Sequence, residues 1–507
     1  MKLFVNLKNE KGFALITIIF ASIIMIIISG SVHIRAIMEG AQIEREITRI
    51  SAQYAAEAGL QRAMKQIGSN AYTGYINEND IAFTLQNTNS IDIGTLNVDI
   101  SYPSQADWVV VQSESTVNGK KTKLEGRVFL QSNLSKYMMY SPAVTHGYGP
   151  NLVIGFADTS ASASAVGVPA NELDRNLMYY TGNLSFNGAN INVHGDIHVQ
   201  GAVDGNNYTS AVYGDAYIGT FATNAQGAVT NDGLSENNNL TLNDGFSDDL
   251  DRDGNGVINS ADAKDIHGLV DPALYIGGDS RPEETLTPIN TAFYQANNNV
   301  PTYYGATAQN RYLKFEPAAN GTSTRIVEYT NGNFTTATGT TYTLPNNAIV
   351  CVKGSAYIKG EIKGRVSVVA TNDIMFAGNV KYAGGQNYGN ENQNAAFLAQ
   401  DKIFFLPSNL EVSGILYAEK SATGTNAISA AYKLASNGVD LIDDSGAKTN
   451  GHFAHYGNII MEDGTISTAQ YVNDRAFYYD PQMKYYRPPG LPVVPSLRMM
   501  RETTPSA

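Results

Sequence analysis

A short basic leader opens the chain, and an uninterrupted apolar run from Phe13 to Ile28 follows it at once. Lys2, Lys8 and Lys11 outweigh Glu10 ahead of that run. Basic flanks stay on the cytoplasmic side, so the pattern places Phe13 inside and exports the rest of the chain. As a helix, the stretch from Phe13 to Ile34 spans roughly 30 Å, enough to cross a bilayer. Beyond Arg35 the apolar positions thin out to Ile37, Ile43, Ile47, Ile50, Tyr54 and Ala58, with Glu44, Arg45, Glu46, Arg49 and Glu57 between them. This is helical periodicity. No proline interrupts residues 13–67, so residues 13–70 are predicted to form one helix of roughly 80 Å.

The period then changes. Residues 71–135 alternate in short runs such as Leu96-Asn97-Val98-Asp99-Ile100 and Leu124-Glu125-Gly126-Arg127-Val128, with Asn118-Gly119 as a hairpin turn. A small antiparallel sheet packed on the second half of the helix is predicted there. After residue 135 the rhythm shortens to apolar pairs, Leu184/Phe186, Ile191/Val193 and Ile197/Val199, broken by Gly188, Gly195 and Gly201. It returns at Val350-Cys351-Val352, Val366-Ser367-Val368, Ile374-Met375-Phe376 and Ile415-Leu416-Tyr417. Such a rhythm predicts stacked windings around one continuous core. The fold expected is therefore mainly β: a long N-terminal transmembrane helix, a small antiparallel sheet, then a right-handed parallel β-solenoid. Its first part is placed at 136–240 and its second at 276–420, around an insertion at 241–275. A β-sandwich of similar short strands is the alternative.

The boundary Lys11-Gly12-Phe13-Ala14-Leu15-Ile16-Thr17 puts the natural cut before the apolar run, whereas a secretory signal peptide is cut after it. This layout resembles the class III leader of type IV pilins. The segment Ala55-Ala56-Glu57-Ala58-Gly59-Leu60-Gln61-Arg62-Ala63 resembles the N-terminal signature of PilX-type minor pilins. The resemblance is specific over about residues 8–67 and looser beyond. It implies removal of residues 1–12 by a prepilin peptidase, with cleavage after Gly12 and methylation of Phe13. The protein would wait as a single-pass inner-membrane protein and then join other major and minor pilins at the cell surface. An ordinary anchor followed by a coiled coil explains neither motif.

One departure from the family pattern is informative. The fifth residue after the cut is Thr17, where pilins usually carry Glu. A carboxylate in hydrocarbon is expensive unless paired, and in pilins its partner is understood to be a neighbour's N-terminal amine. A subunit without it suits the tip, where one neighbour is missing; a threonine bonded to a carbonyl one turn back is the plainer account. The aromatic and proline-rich stretch within 421–507, including Tyr478-Tyr479-Asp480-Pro481 and Arg487-Pro488-Pro489-Gly490, resembles the C-terminal cap of large PilX-like proteins.

Composition narrows the class. A chain of 507 residues with 16% charged residues, 47 Gly and 30 Tyr is turn-dense and β-rich. A net charge of −13, with no basic stripe outside the leader, excludes phosphate-driven nucleic-acid binding. The single cysteine, Cys351, lies in an apolar strand and reads as a buried, inert thiol.

The sharpest local motif is Asp251-Arg252-Asp253-Gly254-Asn255-Gly256-Val257-Ile258-Asn259-Ser260-Ala261-Asp262. It follows the order of an EF-hand calcium loop, with Asp251, Asp253, Asn255, Asn259 and Asp262 offering side-chain oxygens and Val257 a carbonyl. Asp262 in place of Glu suits the weaker affinities of extracellular modules. The pairs His194/His198 and His452/His455 read as solvent-facing turn residues rather than metal ligands. Asp248, Asp249, Asp373 and Asp401 are available carboxylates that the sequence does not bring together. The function expected is that of a tip minor pilin, not an enzyme, acting in pilus assembly and in adhesion to glycans or to host and abiotic surfaces. The alternative, a membrane-tethered polysaccharide-active β-helix enzyme, requires clustered carboxylates or a basic residue in a cleft.

Overall fold

The computed structural model describes residues 10–69, residues 83–141 apart from 92–93 and 102–107, and separate strand segments between 146 and 276. It also describes residues 286–503 apart from 287, 391, 420–426, 445–450, 462–465, 468–470, 472–473, 485 and 493. Among these residues the architecture is mainly β behind one long N-terminal helix.

The helix, Glu10–Ser69, runs unbroken for 60 residues, about 90 Å at the usual rise. Its most apolar stretch is fully exposed, with a mean hydropathy of 2.6, long and apolar enough to cross a membrane. The protein covers only the far end, through Ala52, Ala56, Leu60, Ala63 and Ile67. The larger residues of the periodic stripe, Ile37, Ile43, Ile47, Ile50 and Tyr54, stay exposed. Packing therefore selects a face of alanines interspersed with Leu60 and Ile67, not the isoleucine stripe. Alanines let a sheet approach closely enough for the fully buried Ser115 hydroxyl to donate to the Ala52 carbonyl.

That sheet is antiparallel and five-stranded, in the order Phe83–Ile91, Gly94–Ser101, Trp108–Val117, Lys120–Gln131, Val494–Thr503. The Asn118-Gly119 turn has positive φ at both residues, +46° and +75°, as a two-residue hairpin requires. Its fifth strand comes from the other end of the chain.

Apart from the separate antiparallel pair Tyr432–Leu434 and Leu441–Asp443, the remaining strands form two large sheets, in which the chain returns to each sheet mostly on alternate strands and pairs mostly in parallel. One sheet runs Asn347–Val352, Arg365–Ala370, Asn394–Ala399, Ile415–Ala418, Ile459–Met461, Met139–Ser141, Asn176–Tyr180, Asp196–Asp204, Ala216–Phe221, Leu274–Ile276. Its register stacks Val350, Val368, Phe397, Leu416, Ile459, Met139, Met178, Ile197, Ala216 and Leu274 into one column. In the second sheet Val380, Val412, His455, Phe477, Ile154, Val193, Val212 and Leu242 align in the same way. The apolar pairs of the sequence are thus the rungs of these columns.

Chain order and ladder order differ. The chain enters mid-ladder at Met139–Ser141, proceeds to Leu274–Ile276 at one end, and re-enters at the other end with Asn347–Val352. It then descends until Ile459–Met461 pairs in parallel with Met139–Ser141.

The segment 421–507 does not sit at an open end. Its strands His452–Tyr456, Ile459–Met461 and Asp474–Tyr478 lie inside the ladders, and Val494–Thr503 belongs to the helix-bearing sheet. The edge strand Asn347–Val352 is covered instead by residues 298–303. Asn298 reaches Cys351 through Nδ2 to the carbonyl at 2.8 Å, and its Oδ1 accepts from the Cys351 amide at 3.0 Å. Asn299 exchanges bonds with both backbone groups of Ile349, at 2.7 and 2.8 Å. Two asparagines thereby satisfy an edge that would otherwise invite pairing with another chain.

Candidate functional site

The residues singled out in the sequence fall in different places. Gly12 and Phe13 lie in the first turns of the long helix, and Thr17 is exposed on it. The loop Asp251–Asp262, with Asp253, Asn255, Val257 and Asn259, lies outside the described residues. Among the described residues, no group of three or more His, Cys, Asp or Glu side chains is placed to hold a metal ion.

The histidines depart from expectation. His198 and His455 are fully buried, not solvent-facing. His198 lies beside the stacked pair Tyr140 and Tyr179, whose rings are 5.4 Å apart, with its own ring tilted 34° against Tyr179 at 6.4 Å. His455 occupies an interior column position, and burial pulls its pKa down to about 3. Cys351 is buried as expected, and burial pushes its thiol up to about 12.

The structure does bring Asp373 and Asp401 together in successive turns. Burial, and then the Asp401 charge, push the Asp373 carboxyl up to about 6. Its oxygens accept from the Ser355 hydroxyl at 3.4 Å and the Lys402 amide at 3.2 Å. These bonds tie one turn to the next, a structural use of the carboxylate.

The feature the sequence did not reveal is a cleft of about 580 Å³ where the loop 383–393 meets the segment after Asp480. Gln386, Asn390, Gln393, Gln482, Tyr486 and Lys363 are among the residues lining it. Gln393 is 3% exposed and donates through Nε2 to Gln386 Oε1 at 2.7 Å, while its own Oε1 is buried without a protein partner. Asn390 Oδ1 accepts from the Gln393 amide at 3.0 Å, and Tyr486 accepts at its carbonyl from Asn394 Nδ2 at 2.6 Å. Behind the cleft stands Asp480, fully buried. It takes the Gly389 amide on Oδ2 at 2.6 Å and the Gln482 amide on Oδ1 at 3.0 Å, so one carboxylate holds both walls. The run Gly384-Gly385-Gln386-Asn387-Tyr388-Gly389-Asn390, rich in amides and lacking the apolar pairs, was the available signal.

Burial pushes Asp480 from an ordinary 3.8 up to about 7, against the pull of its two amide donors. A carboxyl raised in the folded state stabilises fully below its unfolded pKa, and that contribution is lost as pH rises through the folded value. His455, lowered from 6.5 to about 3, works in the opposite sense and destabilises as pH falls below 6.5. Thermal stability is therefore expected to rise between pH 8 and 6.5, before the histidine opposes it. Asp480→Asn should abolish that rise and unmask the destabilisation that His455 brings below pH 6.5, which Asp480 otherwise offsets, as thermal denaturation at several pH values would show. A wild-type-like slope in the variant would assign the effect to another group.

No protein-family model matches this chain, and no curated protein matches it. Among solved structures, the competence-associated pilin ComZ from Thermus thermophilus is similar at a TM-score of 0.26 and 12% identity. The alignment covers 90% of this chain and 97% of that one. A superposition this loose carries no argument about fold or function.

Proposed function

We propose that this chain is a pilin-like subunit, a minor pilin at the tip of a type IV pilus or related pseudopilus, whose β-solenoid body projects for surface adhesion. The observation that carries the reading is the division of the helix. From Leu15 to Tyr54 its large apolar residues face outward, and only the face carrying Ala52, Ala56, Leu60, Ala63 and Ile67 is covered by the protein's own sheet. The first stretch has the length and composition of a membrane span. The exposed Ile37, Ile43, Ile47 and Ile50 beyond it then need neighbours in an assembly, supplied by other pilins. In this reading the alternating parallel windings are the predicted solenoid, Thr17 marks the tip position, and Asp251–Asp262 is a calcium loop in an insertion of the body.

The test is maturation. Co-expressed with a prepilin peptidase, the protein should begin at a methylated Phe13, as mass spectrometry of the N-terminus reads out. Gly12→Val should leave the leader attached, because a branched side chain crowds the cleavage site. Normal processing of Gly12→Val, or a mature end elsewhere, would overturn the leader assignment.

A further inference from the structure

We propose that the edge strand Ala337–Thr343 pairs with the same strand of a second copy of this chain, antiparallel about a two-fold axis through Tyr342. This strand ends the second large sheet, and among the described residues it pairs with Thr324–Tyr329 alone. Its residues, Ala337-Thr338-Gly339-Thr340-Thr341-Tyr342-Thr343, include no charge and no proline. Thr340 and Tyr342 are half-buried and the others are exposed. Sheet edges are normally blocked by charges, proline or a cover, as the edge Asn347–Val352 is covered here by two asparagines. The edge at Thr343 is open.

The register shows which main-chain groups it offers. Ala318 donates to the Ser323 carbonyl and Leu344 to the Thr324 carbonyl, each at 2.8 Å. Bonded positions alternate along antiparallel strands. Tyr342, opposite Ile326, and Leu344 therefore turn their main-chain groups inward, while Thr341 and Thr343, opposite Val327 and Arg325, turn theirs outward. A row of outward amides and carbonyls at strand spacing is complemented by another strand.

The residues around Tyr342 say which strand fits. Thr341-Tyr342-Thr343 reads the same in both directions, so an antiparallel copy sets Thr341 opposite Thr343 of the partner subunit, and Thr343 opposite the partner's Thr341. Each such pair exchanges both main-chain bonds, and facing threonines are a favourable cross-strand pair. Tyr342 meets Tyr342 of the partner subunit at the closer, non-bonded position, where an aromatic pair adds stability. Its ring is already placed: the hydroxyl shares a hydrogen bond with Thr302 Oγ1 at 2.9 Å, and the ring stands edge-on to Tyr303 at 5.3 Å. The pairing irregularity opposite Val327–Tyr329, beside Gly339 at φ +86°, confines the seam to the residues that follow it. The contact is therefore short and reversible, smaller than a standard interface.

This pairing does not rest on the pilin-like reading, and leader processing leaves it untouched. The full chain purified in detergent should show a concentration-dependent monomer–dimer equilibrium in analytical ultracentrifugation at submillimolar concentration. Thr343→Pro removes an outward amide that the fold does not use, so the dimer should be lost at an unchanged melting temperature. Thr341→Lys, at an exposed position, should abolish it too by placing ammonium groups along the seam. Cysteine variants test the register. Under mild oxidation Tyr342→Cys should cross-link to its own copy, because the Cα atoms of a non-bonded pair lie about 4.5 Å apart, within disulfide reach. Thr341→Cys, displaced by two residues from its counterpart, should not. The buried Cys351 stays out of the reaction. A monomer at every concentration, a dimer retained by both edge variants through the long helix instead, or equal cross-linking at 341 and 342 would overturn the proposal.

Discussion

Gly457→Ala is expected to prevent the two large sheets from closing around their core. Gly457 has φ +148°, and a Cβ built on it falls against the carbonyl of Gly414 in the winding below, closer than real Cβ atoms come. The same turn one winding earlier has Gly414 at φ +125°, where an added Cβ would stand 2.8 Å from the Ala395 carbonyl. These atoms are backbone and cannot rotate away. The two amides donate across the same stack, Gly414 to Tyr456 and Gly457 to Tyr478, each at 2.8 Å. Relief of the clash must therefore break the ladder bonds beside it. Adding the cost of an unfavourable φ to that of an overpacked contact gives about 2–6 kcal/mol, a large part of the margin of an ordinary domain. Gly384 is the control. It has φ +81° but nothing within 4 Å of its Cβ position, so alanine there should cost about 1–3 kcal/mol from backbone strain alone. Thermal unfolding and soluble yield should rank wild type, Gly384→Ala, Gly457→Ala. Equal stability of the two variants would remove the stacking clash from the account.

The long helix was legible because charge and hydropathy change abruptly at Gly12-Phe13 and no proline interrupts residues 13–67. Its packed face was not. Periodicity draws the eye to Ile43, Ile47 and Ile50, while the sheet covers the face where Ala52, Ala56 and Ala63 allow close approach beside Leu60 and Ile67. The hairpin at Asn118-Gly119 is written in two residues that tolerate positive φ. The rungs Val366-Ser367-Val368 and Ile415-Leu416-Tyr417 were legible as strands, yet the order of the ladder was not. The parallel pairing of Ile459 with Met139 joins positions far apart in sequence and leaves no local trace. The edge cover was misplaced for the same reason. Asn298 and Asn299 read as loop residues until they are seen beside Cys351 and Ile349. In the cleft, the amides of 386–393 are visible in the sequence, but Asp480, which holds them, approaches only through the fold.

Removal of the C-terminal strand is expected to loosen the helix-bearing sheet and leave the stacked windings intact. Val494–Thr503 pairs antiparallel with Lys120–Gln131 from Val494 opposite Gln131 to Thr503 opposite Lys123, with one irregularity between Leu497 and Met499. Arg501 also donates to Glu125 at 2.6 Å, but this pair is largely exposed on the arginine side and adds little. The backbone ladder carries the effect. Each hydrogen bond contributes about 0.5–1.5 kcal/mol, so ending the chain at Pro492 should cost that sheet several kcal/mol. Lys120–Gln131 would become an open edge, the arrangement natural sheets avoid. The segment before the cut keeps its place, because Ser367 donates to the Pro489 carbonyl and Tyr294 to that of Gly490, the latter at 2.9 Å. Hydrogen exchange separates the two regions. Amides of Lys120–Gln131 that point toward the lost strand should exchange much faster, and those of Arg365–Ala370 should keep their protection. The truncated protein would keep residues 132–138 as the chain link from its sheet to the windings, so cleavage in limited proteolysis should concentrate at that link. Unchanged exchange across Lys120–Gln131 would mean that the last strand decorates the sheet without supporting it.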